Sequence, residues 1–319
     1  MIDNILSLVS ILKKAERVFI QTHNFPDFDA VASAFAMQCL LKKCDVSATI
    51  IYDGDIQRDS LRRMIDKLNI HIFNCSLYDL QEDDCIIFVD CNTGQSNVTA
   101  LPGKKVAVID HHVTEASKEI NFVDIRSDYG ACATIIYTYL KDMGYELTKE
   151  IASALLIGIN MDTAALTRNV TEIDLEAYQE LYFLTDKNFV NDVVLHYLNV
   201  PDLPYFKTAM EKVRIDDGLA FCFFADGCPQ NLLGILGDFF LSLAEIKFVV
   251  LCAKNNNKIQ FSIRNEREDL SSVDILKKVL KDIGFGGGHF NMAGGIITNL
   301  DFFKEEEIHR KFLNEVKKK

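Results

Sequence analysis

Hydrophobic positions in the first half of the chain fall into short runs that end on acid or histidine. Val18-Phe19-Ile20 leads to His23 and then to Asp27 and Asp29. Cys85-Ile86-Ile87-Phe88-Val89 runs straight into Asp90, and Val108-Ile109 into Asp110, His111 and His112. Short apolar runs rich in β-branched residues mark strands buried in a parallel sheet. Stretches of helical spacing alternate with them. The pattern predicts a helix over 2–14, a strand over 17–22, a helix over 30–43 carrying Val31, Phe35, Leu40 and Leu41, a strand over 46–52 and a helix over 56–68. Strands over 85–90 and 105–109 follow, then helices near 130–143 and 149–160. Such alternation implies an α/β fold with a doubly wound, mainly parallel sheet. In open sheets of that type, ligands bind at the carboxyl ends of the strands.

Further along, the rhythm changes. Residues 171–200 read as mainly helical, and Pro201 and Pro204 mark a linker. A strand over 218–225, the turn Asp226-Gly227, a helix over 231–241 and a strand over 246–253 lead to a polar hairpin at Asn255-Asn256-Asn257 and a return strand over 258–264. A helix over 272–282, a glycine-rich run from Gly284 to Gly295, a strand over 295–299 and a terminal helix follow. Hairpins with few helices indicate a smaller α+β domain with a mixed sheet. The expected division is a catalytic domain over 1–190, a linker over 191–212 and a second domain over 213–319, with a cleft between the two domains.

Composition narrows the class. The chain has 319 residues, enough for two cores, and its 49% hydrophobic and 25% charged residues are those of an ordinary soluble protein. Nine cysteines, an odd number, include no C-x-x-C pair, and Cys39, Cys85, Cys132, Cys222 and Cys252 lie inside apolar runs. A reduced, cytoplasmic setting is therefore expected. Asp3 occupies the place of a leader's basic region, and no apolar stretch is long and uncharged enough to predict a membrane partner. A formal charge of −12 argues against coating long duplex nucleic acid by counterion release. A small anionic substrate stays open, because local cations can override the global sign.

The strand ends bring His23, Asp27, Asp29, Asp90, His111 and His112 to one edge of one sheet. So many carboxylates would repel one another, and a pair of divalent metal ions is the simplest positive partner. Asp27 and Asp29, two apart on a turn stiffened by Pro26, can each reach a different ion. His23 can share the first, Asp90 can bridge both, and His111 can complete the second. Pro26 also disfavours the helical region for Phe25. Mixed imidazole and carboxylate donors suit Mn²⁺, Mg²⁺ or Fe²⁺ better than structural zinc. Each residue alone has a plainer reading: Asp27 or Asp29 as a helix N-cap, Asp90 as a strand-terminal acid, His23 as a satisfied loop histidine. Recurrence at three strand ends, with an Asp-His-His among them, favours the metals.

These motifs resemble those of the DHH phosphoesterase superfamily, over almost the whole chain and in the family's order. Gly158-Ile159-Asn160-Met161-Asp162-Thr163 is then the fourth motif, and Gly286-Gly287-Gly288-His289 with Ala293-Gly294-Gly295 is similar to the hallmark of the DHH-associated C-terminal domain. The likeness is greatest to compact two-domain enzymes that include nanoRNases, bisphosphonucleotide phosphatases and phosphodiesterases of linear or cyclic dinucleotides. It implies that His23, Asp27 and Asp90 hold one ion, and that Asp29, Asp90, His111 and Asp162 hold the other, with manganese foremost. It also implies that His112 meets the substrate phosphate while Asp110 fixes the histidine pair from behind. Two departures stand out. Asp27-Phe28-Asp29 replaces the usual Asp-Gly-Asp, and Ala32-Ser33 replaces Gly-Ser. Phe28 is expected to narrow the mouth of the site.

In the second domain, Gly284, Gly286, Gly287 and Gly288 let backbone approach a ligand and offer N–H groups to an anion. Alone, such a run reads as a plain loop and His289 as a surface histidine. Joined to Arg264, at the end of the 258–264 strand, they become an expected clamp for a terminal phosphate. Arg168 is a weaker candidate for the same task. The expected activity is metal-dependent hydrolysis of very short oligonucleotides to 5′-mononucleotides, with two ions activating water and stabilising charge. Rivals are a phosphatase for 3′-phosphoadenosine 5′-phosphate, a cyclic-dinucleotide phosphodiesterase and, from another class, a nucleotide-binding regulator. An inorganic pyrophosphatase fits less well, because the glycine-rich motif points to the other type of C-terminal domain. The expected partner is a short oligonucleotide or nucleotide, with a homodimer left open.

Overall fold

A computed structural model describes residues 2–95, 97–288 and 290–317. The chain divides into two compact units, Met1–Tyr197 and Leu198–Lys319. All nine cysteines are free, and no helix among the described residues is long and apolar enough to cross a membrane.

The first unit runs α1 (Ile2–Leu12), β1 (Val18–Gln21), α2 (Phe28–Lys43), β2 (Thr49–Tyr52), α3 (Asp59–Lys67), β3 (Ile72–Asn74), β4 (Cys85–Val89), β5 (Lys104–Asp110), β6 (Phe122–Ile125), α4 (Cys132–Asp142), α5 (Lys149–Asp162), α6 (Glu172–Leu184) and α7 (Lys187–Leu195). Its six strands are parallel, in the order β3-β2-β1-β4-β5-β6. The order reverses between β1 and β4, and a reversal of this kind opens a crevice beyond the carboxyl ends of the two strands. β1 feeds the loop with His23, Asp27 and Asp29, β4 feeds Asp90, and neighbouring β5 ends on Asp110. Topology therefore sets the three acidic strand ends side by side.

One face of this sheet packs on helices through Leu8, Met37, Leu41, Ile135, Tyr139 and Leu155. The other face, with Phe19, Ile51, Ile86, Phe88 and Val108, is covered by loop residues such as Tyr78, Leu80, Val98, Leu101 and Ile120. Between β3 and β6 the described connections hold only one 3₁₀ turn, Cys75–Leu77. β3 and β6 have no counterpart in the hydrophobic pattern. Each is a short edge strand with no fully buried residue, so no apolar run marks it.

The second unit comprises α8 (Leu203–Lys212), β7 (Arg214–Asp216), β8 (Leu219–Phe224), α9 (Gln230–Leu241), β9 (Phe248–Asn255), β10 (Lys258–Asn265), α10 (Ser272–Val279), β11 (Phe285–Gly288), β12 (Met292–Ile297) and α11 (Glu305–Lys317). Pro204 stands in the first turn of α8, where its missing N–H costs nothing, so a helix begins inside the stretch read as linker. The sheet order is β11-β12-β10-β9-β8-β7, parallel between β8 and β9 and antiparallel elsewhere. Phe248, Phe261, Leu276 and Phe312 fill the core on one face, and Leu232, Leu233, Leu236 and Phe240 fill it on the other. Asn256 and Asn257, both at positive φ (48° and 57°), turn the β9–β10 hairpin. The glycine-rich run is not a loop: β11 and β12 pair Gly286 with Gly295, Gly287 with Gly294 and Gly288 with Ala293.

Candidate metal centre

The β1–α2 loop is shaped by its own acids. Asp27 caps α2, its Oδ1 accepting the N–H groups of Asp29 (3.0 Å) and Ala30 (3.1 Å). The helix therefore starts at Phe28, ahead of the expected position. The same Oδ1 lies 3.8 Å from His23 Nε2, so the plain reading of Asp27 as a cap and the metal reading hold together. Burial would lower the His23 pKa, but the neighbouring Asp27 carboxylate outweighs it and lifts the ring to about 9. Asp29 is buried and acts in space as a cap for α4, whose own N-cap, Ala131, has no side-chain acceptor. Its Oδ2 accepts from Cys132 N (2.7 Å) and its Oδ1 from Ala133 N (2.8 Å). A Cβ on Gly158 of α5 would sit 3.0 Å from Asp29 Oδ1 and 3.2 Å from the Ala32 Cβ. Gly158 and Ala32 thus let α5 and α2 converge beneath the carboxylate, and Ser33 Oγ donates to it (3.3 Å).

Asp90 stands at the centre. Its Nε2 neighbours are His23, 3.7 Å from Oδ2, and His111, 3.5 Å from Oδ1. It is 2% exposed, and its buried Oδ1 has no hydrogen-bond donor among the described residues. Its φ is +59°, a strained conformation for a residue with a side chain. Burial first, then Asp29, Asp27 and the other acids, push its pKa far above the carboxylate range. An orphaned, buried oxygen in a strained residue between two imidazoles is the arrangement a cation would resolve.

The two adjacent histidines are prepared differently. His111 Nδ1 lies 3.2 Å from the Tyr129 carbonyl, which turns Nε2 toward Asp162 (3.1 Å), Asp90 and Asp29 (4.0 Å). Burial and the charge of His112 lower its pKa, which favours the neutral ring that metal binding needs. His112 Nδ1 is held at 2.7 Å by Oδ1 of the fully buried Asp110, which leaves Nε2 to point away. Burial opposes the charged ring, but the Asp110 hydrogen bond prevails and raises its pKa. Asp110 Oδ2 also accepts from Thr114 Oγ1 (3.3 Å).

Asp162 ends α5, and its pKa is pushed up to about 6 by burial and by Asp27. Two donor groups each gather within 4.8 Å: His23, Asp27 and Asp90, and Asp29, His111 and Asp162. A third, Asp90 with His111 and His112, would require His112 to release Asp110. These imidazole and carboxylate donors, with no thiolate among them, fit divalent cations of the oxygen-seeking kind. Arg168, six residues on, turns back to donate its Nε to the Asp162 carbonyl (3.3 Å).

Phe28 corrects an expectation. It points into the helical core and is buried, because the α2 start turns it inward, so it cannot narrow the mouth of the site. The exposed ring is Phe25, at φ +55°, a left-handed conformation where Pro26 had pointed only to a non-helical one. Residues that the strand-end pattern missed act mostly through main chain: the Tyr129 carbonyl and the Cys132 and Ala133 N–H groups. No side-chain pattern could have shown them.

In the second unit, Arg264 on β10 pairs through Nε with Asp238 (2.9 Å) and through Nη1 with Ser262 Oγ (3.3 Å). It lies across α9 at two glycines, where a Cβ on Gly234 or Gly237 would come within 2.6 Å or 2.9 Å of it. A Cβ on Gly286 would strike Leu276 of α10 at 2.5 Å, and one on Gly288, at φ +141°, the Met292 carbonyl at 2.4 Å, so packing alone accounts for both. Gly287 differs. Nothing lies within 4 Å of its missing Cβ. By strand alternation it faces the α9 side, as Arg264 does. The pairings Gly287–Gly294 and Gly294–Ser262 make a row free of bulky side chains beside Arg264. His289 lies outside the described residues.

The fold and this constellation define a class. Residues 17–159 match the DHH family, N-terminal domain, and residues 216–319 the DHHA1 domain. The chain belongs to the DHH superfamily of phosphoesterases, with a DHHA1 domain, and the chemistry of that class is phosphoric ester hydrolysis. An uncharacterized protein of Methanocaldococcus jannaschii is 28% identical over 307 residues, covering 95% of this chain and 63% of the relative. A probable manganese-dependent inorganic pyrophosphatase of Bacillus licheniformis is 30% identical over 168 residues, 52% of this chain and 54% of the relative. The chain thus spans less than two thirds of the length of either. An exopolyphosphatase-related protein from Bacteroides fragilis shares the fold, with a TM-score of 0.79 at 20% identity, over 98% of this chain and 94% of that one.

Proposed function

We propose that the protein is a metal-dependent hydrolase of very short 5′-phosphorylated oligonucleotides, linear dinucleotides foremost, that releases 5′-mononucleotides. The observation that carries the chemistry is the buried, orphaned Asp90 oxygen between the two donor groups. His23, Asp27 and Asp90 would hold one ion, and Asp29, Asp90, His111 and Asp162 the other. Manganese is favoured by the donor set and by the manganese dependence named for the pyrophosphatase relative. When bound, such ions polarise the phosphoryl group and supply an acidified water. The protein's own part is orientation. Asp110 raises the pKa of His112 and would leave its Nε2 to meet a phosphate oxygen, and the Tyr129 carbonyl fixes the other imidazole. A small terminal phosphate is the ligand best suited to the open Gly287–Gly294–Ser262 face beside Arg264.

A product panel tests the reading. With Mn²⁺, 5′-phosphorylated dinucleotides should be converted to 5′-mononucleotides faster than cyclic dinucleotides, 3′-phosphoadenosine 5′-phosphate or pyrophosphate are consumed, and chelator should abolish turnover. Arg264→Ala, which removes a charged donor, and Gly287→Val, which puts a branched side chain on the open face, should each raise KM for the dinucleotide by about tenfold. Hydrolysis of a small activated diester should change little. Preferred release of phosphate from 3′-phosphoadenosine 5′-phosphate would replace this reading with a phosphatase.

A further inference from the structure

We infer that Phe25 is a stacking platform for the nucleobase next to the hydrolysed phosphate, an inference that rests on the proposed nucleotide substrate. Phe25 lies two residues from both His23 and Asp27, so its Cα is within about 7 Å of the Cα of each. It is 50% exposed, belongs to neither hydrophobic core of the first unit, and no other ring stacks on it among the described residues. A half-exposed aromatic could be a surface accident. Its backbone argues otherwise.

A bulky residue at φ +55° is strained, and such strain persists only where the surroundings enforce it. They do so from both sides. Phe25 N–H donates to the Asp53 carbonyl (2.9 Å), and Asn24 N–H to the Asn97 carbonyl (2.7 Å). The Asn24 side chain donates to Thr99 Oγ1 and accepts from Thr99 N, while Thr99 Oγ1 donates to Asp53. Two loops, β2–α3 and β4–β5, are thereby tied around this turn. The ring then rests on Gly54, where a Cβ would come within 2.6 Å of it. Gly54 itself has φ +78°. The Phe25 ring, in the same loop that carries His23 and Asp27, is thus backed by Gly54, with half its surface left to solvent. Every base offers a π-face, so an aromatic platform serves a nucleotide of any base. Inorganic phosphate or pyrophosphate has no use for it.

Binding separates this role from catalysis. Calorimetry would compare a methylenephosphonate analogue of a 5′-phosphorylated dinucleotide with its abasic counterpart, on the wild-type chain and on Phe25→Leu and Phe25→Tyr. Phe25→Leu keeps an apolar group over Gly54 but removes the ring. It should weaken the base-bearing ligand about tenfold and leave the abasic one unchanged, while Phe25→Tyr retains wild-type affinity. Gly54→Ala, which displaces the ring, should show the same selective loss. Equal effects on both ligands, or none on either, would overturn the platform. If the base-selective loss held but the wild-type protein failed to hydrolyse any dinucleotide, the proposed activity would fall and the platform would stand.

Discussion

At the scale of single residues, His111 and His112 show how neighbours of one type acquire opposite chemistry. One is kept neutral by burial and the adjacent charge, the other is driven toward the imidazolium by Asp110. His111→Ala should therefore lose bound manganese, whereas His112→Ala should keep most of it yet lose turnover. Metal analysis beside kinetics would decide, and reversed metal contents would show the assignment to be wrong. Asp90→Ala should remove both ions together and reduce turnover by several orders of magnitude without unfolding the chain, since Oδ1 has no hydrogen-bond donor to lose. Undiminished activity in excess chelator would refute metal dependence altogether. All the proposed ligands were legible as acids and histidines at strand ends or in motif order. The sequence also pointed to His111 as the ligand of the pair, but why the two rings differ shows only in the fold, where Nδ1 meets a backbone carbonyl in one case and a carboxylate in the other.

At the scale of elements, the site depends on how α4, α5 and α6 are clamped. Asp174, in the first turn of α6, is fully buried and accepts from Gly130 N (3.0 Å), Thr134 Oγ1 (2.5 Å), Thr171 N (2.8 Å) and Thr171 Oγ1 (2.6 Å). It ties the α6 capping box to the start of α4, whose N–H groups hold Asp29, and to the loop whose Tyr129 carbonyl holds His111. Asp174→Ala would leave several buried donors unpartnered and should destabilise the first unit by at least about 3 kcal/mol. It should also weaken manganese binding, measured by titration below the melting temperature. Lost stability with unchanged metal affinity would show that the clamp supports the fold alone. The Thr171-x-x-Asp174 spacing announces a cap in the sequence. Its second task does not show there, since Gly130 and Thr134 reach it only across the fold.

At the scale of the whole molecule, pH and metal should act on stability in opposite senses. Asp29, pushed up to about 7 by burial and Asp162, and Asp162, raised to about 6, bind protons more tightly folded than unfolded. The fold thus favours their protonated forms. In chelator, their contribution is full below the ordinary carboxylate range and is lost as pH rises through about 6 and 7. Asp110, held low by His112 against the effect of burial, titrates below this window, while inside it the raised Asp90 adds to the trend and His111, lowered by burial and His112, works against it. Saturating Mn²⁺ takes the place of those protons and should flatten or reverse the trend. Thermal melts at about pH 5 and about pH 8, with chelator and with Mn²⁺, would show it. A chelated protein that gains stability across that interval would contradict the assigned burial of these acids.

The sequence by itself determined the α/β and mixed-sheet classes, the central strands and the acids at their ends. Buried runs and terminal acids are local patterns, written residue by residue. Tertiary structure decided the rest. The edge strands β3, β6 and β7 carry no buried run and form only because a neighbour offers its ladder. The glycine-rich run became a paired hairpin because Leu276 and the β12 backbone leave no room for side chains at Gly286 and Gly288, while Gly287 alone faces open space. Phe28 went inward and Phe25 outward through one N-cap and one left-handed turn. Asp29 found its donors 103 and 104 residues away. Contacts across such separations arise from packing, and packing is not written in the spacing of a single chain segment.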